Sequence, residues 1–296
     1  MLTPEQLEER KTGIGGSDVA PIVGLSPWKN ASDIYLEKRG EVEMPDISDK
    51  PVVHFGNVLE QVVADEYARR FNEKLERRNK MIRHPKYPFL CANIDRKIVG
   101  RKAVFEAKTA DKYTAGKWGE DGSDQIPEDY RIQVEHYFNV TGYTEGVLAV
   151  LIGGNDFRHY PIQQNKELSE MLMQHCIHFW EKVEKGIPPM LDHEHKTAID
   201  TLKRMYPGTN GETIELPAGL EHWHKVKVEA EEKRKQYETV IEVCKAHILE
   251  AMGENACGQL SGLGYQYKRS LQKRSGFTVE PTEFMMMRGS AIKGKK

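Results

Sequence analysis

This chain lacks the features that would place it in several large protein classes. Its four cysteines, Cys91, Cys176, Cys244 and Cys257, lie far apart among 296 residues and form no Cys-x-x-Cys pair. That spacing argues against a zinc ribbon and a disulfide framework, and reads as buried thiols in a reducing compartment. No apolar run is long enough to span a bilayer, and Met1-Leu2-Thr3-Pro4-Glu5-Gln6 does not follow the charged-then-apolar order of an export signal. A soluble cytoplasmic protein with no membrane partner is the expectation. A strong charge of either sign is missing too: 43 Lys and Arg stand against 45 Asp and Glu, a formal net charge of −2. No global basic field announces a polyanion, although ligand carboxylates can mask a local basic surface. One such cluster runs through Arg69, Arg70, Lys74, Arg77, Arg78, Lys80, Arg83 and Lys86. A solvated helix end and strand face would look the same.

What is present reads as mixed α/β over 1–200. Pro4 opens a short helix, Ser17 or Asp18 can cap a second through Val23, and Asn30 or Ser32 caps a third ending at Gly40. A longer helix over 52–71 carries the apolar stripe Val52, Phe55, Leu59, Val62, Val63 and Tyr67. Glu60 falls on the flank of that stripe, where a carboxylate can reach a sheet edge, and Glu66 is its rival. Strands are expected over 75–82, 90–95 and 103–109. Pro127 starts a helix that Gly142 ends, and Gly153-Gly154-Asn155 joins strands over 146–152 and 156–162 as a hairpin. A helix over 166–185 is stopped by Gly186 and Pro188-Pro189.

The character then changes, and a second region is expected over 201–296. After a loop at Pro207-Gly208, apolar residues from Leu220 to Ala251 recur at threes and fours with no proline or glycine. This predicts one helix roughly 45 to 50 Å long, with its stripe packed within the molecule rather than kept as an arm for a partner. Lys227 and Arg234 on the stripe argue against a strict coiled coil. Short strands over 256–268 and a basic tail over 288–296 complete the chain.

The segment richest in chemistry is Asp95 followed by Val104-Phe105-Glu106-Ala107-Lys108. Successive strand side chains point to opposite faces, so Glu106 and Lys108 project together while Ala107 points away. Lys97-Ile98-Val99-Gly100-Arg101 has the turn chemistry to fold the chain back and set Asp95 beside Glu106. Two carboxylates that close repel unless a cation or a shared proton relieves them. Phosphodiester hydrolysis needs a divalent ion, an activated water and a positive group near the developing charge, which two acids and a lysine can supply. The oxygen-only ligand set suits Mg²⁺, with Mn²⁺ as substitute, rather than zinc. His193-Glu194-His195 could chelate a softer metal, but reads as a short exposed loop.

Five ordered blocks add a resemblance. Gly13-Ile14-Gly15-Gly16-Ser17-Asp18-Val19-Ala20 with Gly24-Leu25-Ser26-Pro27-Trp28 resembles the opening of the YqaJ-like viral recombinase family. His54-Phe55-Gly56-Asn57-Val58-Leu59-Glu60, Asn93-Ile94-Asp95, Glu106-Ala107-Lys108, and Gln133-Val134-Glu135-His136-Tyr137 with Thr141-Gly142 follow in order. That family is similar to lambda-type exonucleases and belongs to the PD-(D/E)xK restriction-like nucleases. The proline usual before the first acid is absent here, with Asn93-Ile94 in its place.

The resemblance implies a restriction-endonuclease-like core, a mixed central sheet flanked by helices, with a C-terminal extension of one long helix and short strands. It implies that Asp95 and Glu106 ligate Mg²⁺ with help from the Ala107 carbonyl and from Glu60. Lys108 would orient or polarise the attacking water, with Gln133 beside it. Arg10 and Ser17 match positions that hold a terminal 5′-phosphate, while Ser17 as a plain helix cap remains open. The function expected is 5′ to 3′ exonuclease action on double-stranded DNA, of phage or prophage type. A ring-shaped trimer and a single-strand annealing protein as partner are implied with it. An endonuclease of the same fold and a non-catalytic DNA-binding scaffold are the alternatives.

Overall fold

The computed structural model describes residues 4–42, 47, 49–78, 80–273 and 276. The expected basic tail over 288–296 lies outside the described residues. The chain divides into two compact units, Met1–Pro207 and Gly208–Lys296.

The first unit begins with α1 (Pro4–Lys11), α2 (Gly16–Ile22), α3 (Ala31–Arg39) and α4 (Pro51–Phe71), followed by β1 (Leu75–Arg77), β2 (Ile82–Arg83), β3 (Cys91–Ala92), β4 (Arg96–Ile98) and β5 (Ala103–Ala110). Then come α5 (Glu128–Thr141), β6 (Glu145–Ile152), β7 (Asp156–Gln163), α6 (Lys166–Lys185) and α7 (Ala198–Met205). The main sheet runs β1-β4-β5-β6-β7. Its one parallel pair is β5 with β6, and α5 is the crossover that such a pair needs. The fold is thus mixed α/β, a mixed sheet flanked by helices.

Sheet alternation sorts the core into two layers. Ala103, Phe105 and Ala107 of β5 pack with Val63, Ala64 and Tyr67 of α4. Val104 belongs to the opposite layer, with Val134, Tyr137 and Phe138 of α5 and Leu172, Cys176 and Phe179 of α6. The β6–β7 hairpin turns on Gly153 (φ 60°) and Gly154 (φ 86°), the left-handed pair a tight two-stranded turn favours.

Several expectations are corrected. The strand expected over 75–82 is two short strands in different sheets, and that over 90–95 shrinks to β3, which pairs with β2 in a separate ribbon. The apolar stripe of α4 is fully buried only from Val63 onward: Val52, Phe55 and Val62 are exposed and Leu59 is half-buried. Periodicity marks which helix face is apolar, not how much of it a neighbour reaches. α2 is not capped by Ser17 or Asp18; its N-cap is Gly15, whose N–H donates to Asp18 Oδ2 at 2.9 Å. Cys91 and Cys176 are buried as expected, whereas Cys244 and Cys257 are exposed.

Asn30 caps α3. It also donates to Thr197 (3.0 Å) and Thr201 (2.9 Å), while Asp33 accepts from Thr201 (2.7 Å) and pairs with Arg204, tying α7 to the N-terminus of α3. The second unit contains α8 (Leu220–Met252), β8 (Cys257–Leu260) and β9 (Tyr265–Lys268), the last two paired antiparallel. Within the second unit the α8 stripe is left uncovered: Trp223, Tyr237 and Ile241 are exposed and only Met252 of this helix is buried.

Contact between α2 and α5 needs a residue without a side chain. A Cβ on Gly16 would stand 2.6 Å from Cε1 of Tyr137 and 3.0 Å from Cγ of Gln133. Gly16→Ala is expected to destabilise the protein by about 1 to 3 kcal/mol through this overpacking, measured by urea unfolding. A wild-type midpoint would show that α2 does not dock this closely.

Candidate active site

Glu106 and Lys108 share the β5 face that looks toward α5, as their spacing requires. Glu106 is only 2% exposed. Its Oε1 accepts from Lys108 Nζ and, at 2.8 Å, from Gln133 Nε2 of α5. The same Gln133 nitrogen donates to Tyr137 Oη at 2.6 Å, and the Lys108 ammonium lies 5.0 Å from the centre of the Tyr130 ring. Both donors therefore meet one carboxylate oxygen. The other, Oε2, is buried with no hydrogen-bond partner among the described residues. A buried charged oxygen left unpartnered is costly, and native proteins seldom keep one without a ligand to satisfy it.

Asp95 lies in the bend before β4, not at the end of a strand. Antiparallel pairing of Arg96 with Phe105 sets Asp95 beside the Glu106 end of β5, and its Oδ2 accepts from the Ala107 N–H at 2.9 Å. Burial first, then the Glu106 charge, push the Asp95 carboxyl up to about 8. Burial likewise raises Glu106 against the opposing pull of Lys108. For Lys108, burial works against the ammonium, but Glu106 and Asp95 outweigh it and hold its pKa above the ordinary lysine value. Lys108 is therefore a cation near neutral pH, suited to stabilising negative charge rather than to taking a proton. One ammonium balances only one of the two carboxylates once both are ionised, so near neutral pH Asp95 keeps its proton unless a cation takes its place. An oxygen-binding divalent cation fits that deficit, and the partnerless Oε2 of Glu106 and the second oxygen of Asp95 are the donors this chain offers it.

Glu60 has a partner of its own. α4 packs on the other face of the sheet, and there Glu60 Oε1 accepts from Arg96 Nη1 at 2.6 Å. Among the described residues no group of three or more His, Cys, Asp and Glu is arranged to hold a metal. The charge of Glu60 still raises both Asp95 and Glu106. The rival Glu66 is bound by Arg69 and Arg70 on its own helix.

Arg96 is the residue the sequence reading missed. It is 3% exposed and also donates to the Asp95 carbonyl at 2.7 Å and to Gln61 at 3.0 Å, joining α4 to the acid-bearing bend. A signal existed: Arg96 shares strand parity with Ile94 and Ile98, both buried, and an arginine in an apolar register implies a buried acceptor.

Arg10 and Ser17 do come together, with Arg10 Nη2 donating to Ser17 Oγ at 3.1 Å. They sit at the two ends of the loop from α1 to α2. That loop is pinned beside β3, where Ile14 N–H donates to the Phe89 carbonyl at 2.6 Å and Cys91 N–H to the Ile14 carbonyl at 2.9 Å.

The model of the YqaJ-like viral recombinase domain matches residues 5–144. A Bacillus subtilis (strain 168) relative, the uncharacterized protein YqaJ, is 41% identical over 222 residues, 74% of this chain and 68% of its own length. The chain belongs to the YqaJ-like viral recombinase family. Outside close relatives, an alkaline exonuclease from Laribacter hongkongensis matches with a TM-score of 0.52 at 15% identity, over 62% of this chain and 94% of that one. The structure of that exonuclease with dAMP gives the same TM-score at 16% identity and the same coverage. At such identity the likeness is one of fold.

For this family member, charge burial at the acid pair predicts a trade between stability and ligand binding. At neutral pH the Asp95 carboxyl is ionised in the unfolded chain and disfavoured in the folded one, so folding without a cation costs free energy. Asp95→Asn keeps an acceptor for the Ala107 N–H and should stabilise the metal-free protein by on the order of 1 kcal/mol or more. The expected calorimetric result is a higher melting temperature without Mg²⁺ and a smaller rise on adding it. A lower melting temperature in the metal-free variant would contradict this account.

Proposed function

We propose that this protein is a metal-dependent deoxyribonuclease that degrades linear duplex DNA from its 5′ ends and leaves single strands for recombination. The observation that carries the reading is the buried, partnerless Oε2 of Glu106 beside Asp95, with the Lys108 ammonium bound to the same carboxylate. Membership of a viral recombinase family and a fold shared with an exonuclease support it. A scaffold would have no reason to keep two strained acids and a lysine on one strand face.

In this reading Asp95, Glu106 and the Ala107 carbonyl hold Mg²⁺, or Mn²⁺ in its place, with Glu60 nearby. The bound cation supplies Lewis acidity toward the phosphate and toward a water. Gln133 and Lys108 fix Glu106 through Oε1 and leave Oε2 for the ion. Lys108 contributes a positive charge where negative charge develops as the P–O bond breaks. The Asp95 bend and the Ala107 N–H hold the second acid at a set distance from the first, so the pair does not reorganise during the reaction. Arg10 and Ser17 bind the terminal 5′-phosphate and give the enzyme its end preference. A ring-shaped trimer around the duplex and an annealing protein that takes up the single strand complete the proposal, and rest on the family resemblance.

The test uses end-labelled linear duplexes carrying a 5′-phosphate or a 5′-hydroxyl, and a covalently closed circle, each with and without Mg²⁺. Release is expected from the 5′ end, faster for the phosphate, and only with Mg²⁺. Circles cut as fast as linear DNA would replace this reading with an endonuclease. Lys108→Ala, checked for an intact fold by circular dichroism, should lose about a hundredfold to a thousandfold in rate, and full activity in it would remove the assignment of Lys108.

A further inference from the structure

We infer that Lys38 is a positioning residue for the 5′-phosphate site, keeping Arg10 free for the phosphate by claiming Asp18 for itself. The inference rests on the proposed phosphate role of Arg10 and Ser17, and adds the element that makes that role possible.

Lys38 lies on the buried face of α3, three and four residues after Tyr35 and Ile34, and its side chain is fully buried. A lysine is seldom placed so without a dedicated partner. Its Nζ donates to Asp18 Oδ2 at 2.7 Å and to the Arg10 carbonyl at 2.8 Å. The first contact fixes the opening turn of α2, next to Ser17. The second satisfies a carbonyl in the last turn of α1, on the residue whose guanidinium reaches Ser17. One ammonium thus holds both ends of the loop that carries the two proposed phosphate ligands.

Charge gives the arrangement its purpose. Asp18 faces two cations, Lys38 and Arg10, and the closest approach of Arg10 Nη2 to its Oδ1 is 3.8 Å. Lys38 and the Gly15 N–H occupy Oδ2. Burial opposes ionisation of Asp18, but Lys38 and then Arg10 outweigh it and hold its pKa below the ordinary aspartate value. Two cations and one carboxylate leave a positive excess at Arg10, which stays 31% exposed while Lys38 and Asp18 are closed from solvent. An incoming phosphate dianion balances that excess. Without Lys38, Asp18 would be a buried carboxylate with a single cation in reach, and would draw the Arg10 guanidinium into a close ion pair that blocks the phosphate.

The test compares kcat and KM on 5′-phosphorylated and 5′-hydroxyl linear duplexes for the full-length wild type, Lys38→Met, and the double variant Lys38→Met with Asp18→Asn. The expected result for Lys38→Met is a fall of at least about tenfold in the phosphate-to-hydroxyl ratio of kcat/KM, as for truncating one member of a buried charge pair. That loss should appear in KM for the phosphorylated end. The double variant removes the competing carboxylate as well and should regain part of the ratio. A folded Lys38→Met with the wild-type ratio overturns the inference. So does an equal loss on both substrates, or a double variant no better than the single one, because each is what a merely structural lysine gives. Should Lys38→Met fail to fold, Lys38→Gln, which removes the charge but keeps a donor toward Asp18, takes its place, and the same outcomes decide. A wild type that treats the two ends alike sinks the phosphate reading of Arg10 and Ser17 itself, and does so before any variant is made.

Discussion

The first unit depends on the two-fold alternation of β5. Because its side chains point by turns to opposite faces, one strand gives Phe105 and Ala107 to the α4 layer and Glu106 and Lys108 to the α5 layer. The hydrophobic contacts of one face hold the charged groups of the other in place. Parallel pairing with β6 along the whole strand and antiparallel pairing with β4 leave β5 no freedom to slip, and a slip of one residue would exchange the two faces. The acids cannot move apart to relieve their repulsion, so the strain remains for a ligand to relieve.

From Glu106 a chain of contacts leads away from the sheet. Gln133 touches Glu106 and Tyr137, and both Gln133 and Tyr137 press on Gly16 at the start of α2. One residue on lies Ser17, bonded to Arg10. The acid pair and the basic loop are therefore set by the same helix face, that of α5. Tyr137 registers both: after burial, the charges of Glu106 and Asp95 raise its pKa further, while Gln133 and Arg10 oppose them.

Much of this was legible in order along the chain. Helix ends at Gly40, Gly142 and Gly186, the Gly153-Gly154 hairpin and the thirty-three-residue α8 follow from local backbone chemistry, which acts over a few residues and leaves its mark in the sequence. The Glu106–Lys108 face followed from strand period alone. Coverage was not legible. Val52, Phe55 and Val62 on α4, and Trp223 and Tyr237 on α8, have the spacing of core residues yet are exposed, because burial depends on how far a neighbouring element extends. The minor β2–β3 ribbon was also hidden, since two-residue strands carry no periodicity.

The sequence by itself determined the acid, acid and lysine on one face, the turn that returns Asp95 to them, and the order of helices and strands around them. Those features arise from alternation, turn propensity and capping, whose range is shorter than the elements they shape. Only the tertiary structure decided that Glu60 pairs with Arg96, and that Glu106 Oε2 is left without a partner among the described residues. It also decided that a buried Lys38 stands between Asp18 and Arg10. Each of these is a choice of partner among charges distant in the chain, and such a choice is fixed by which groups packing brings within a few ångströms and removes from water together.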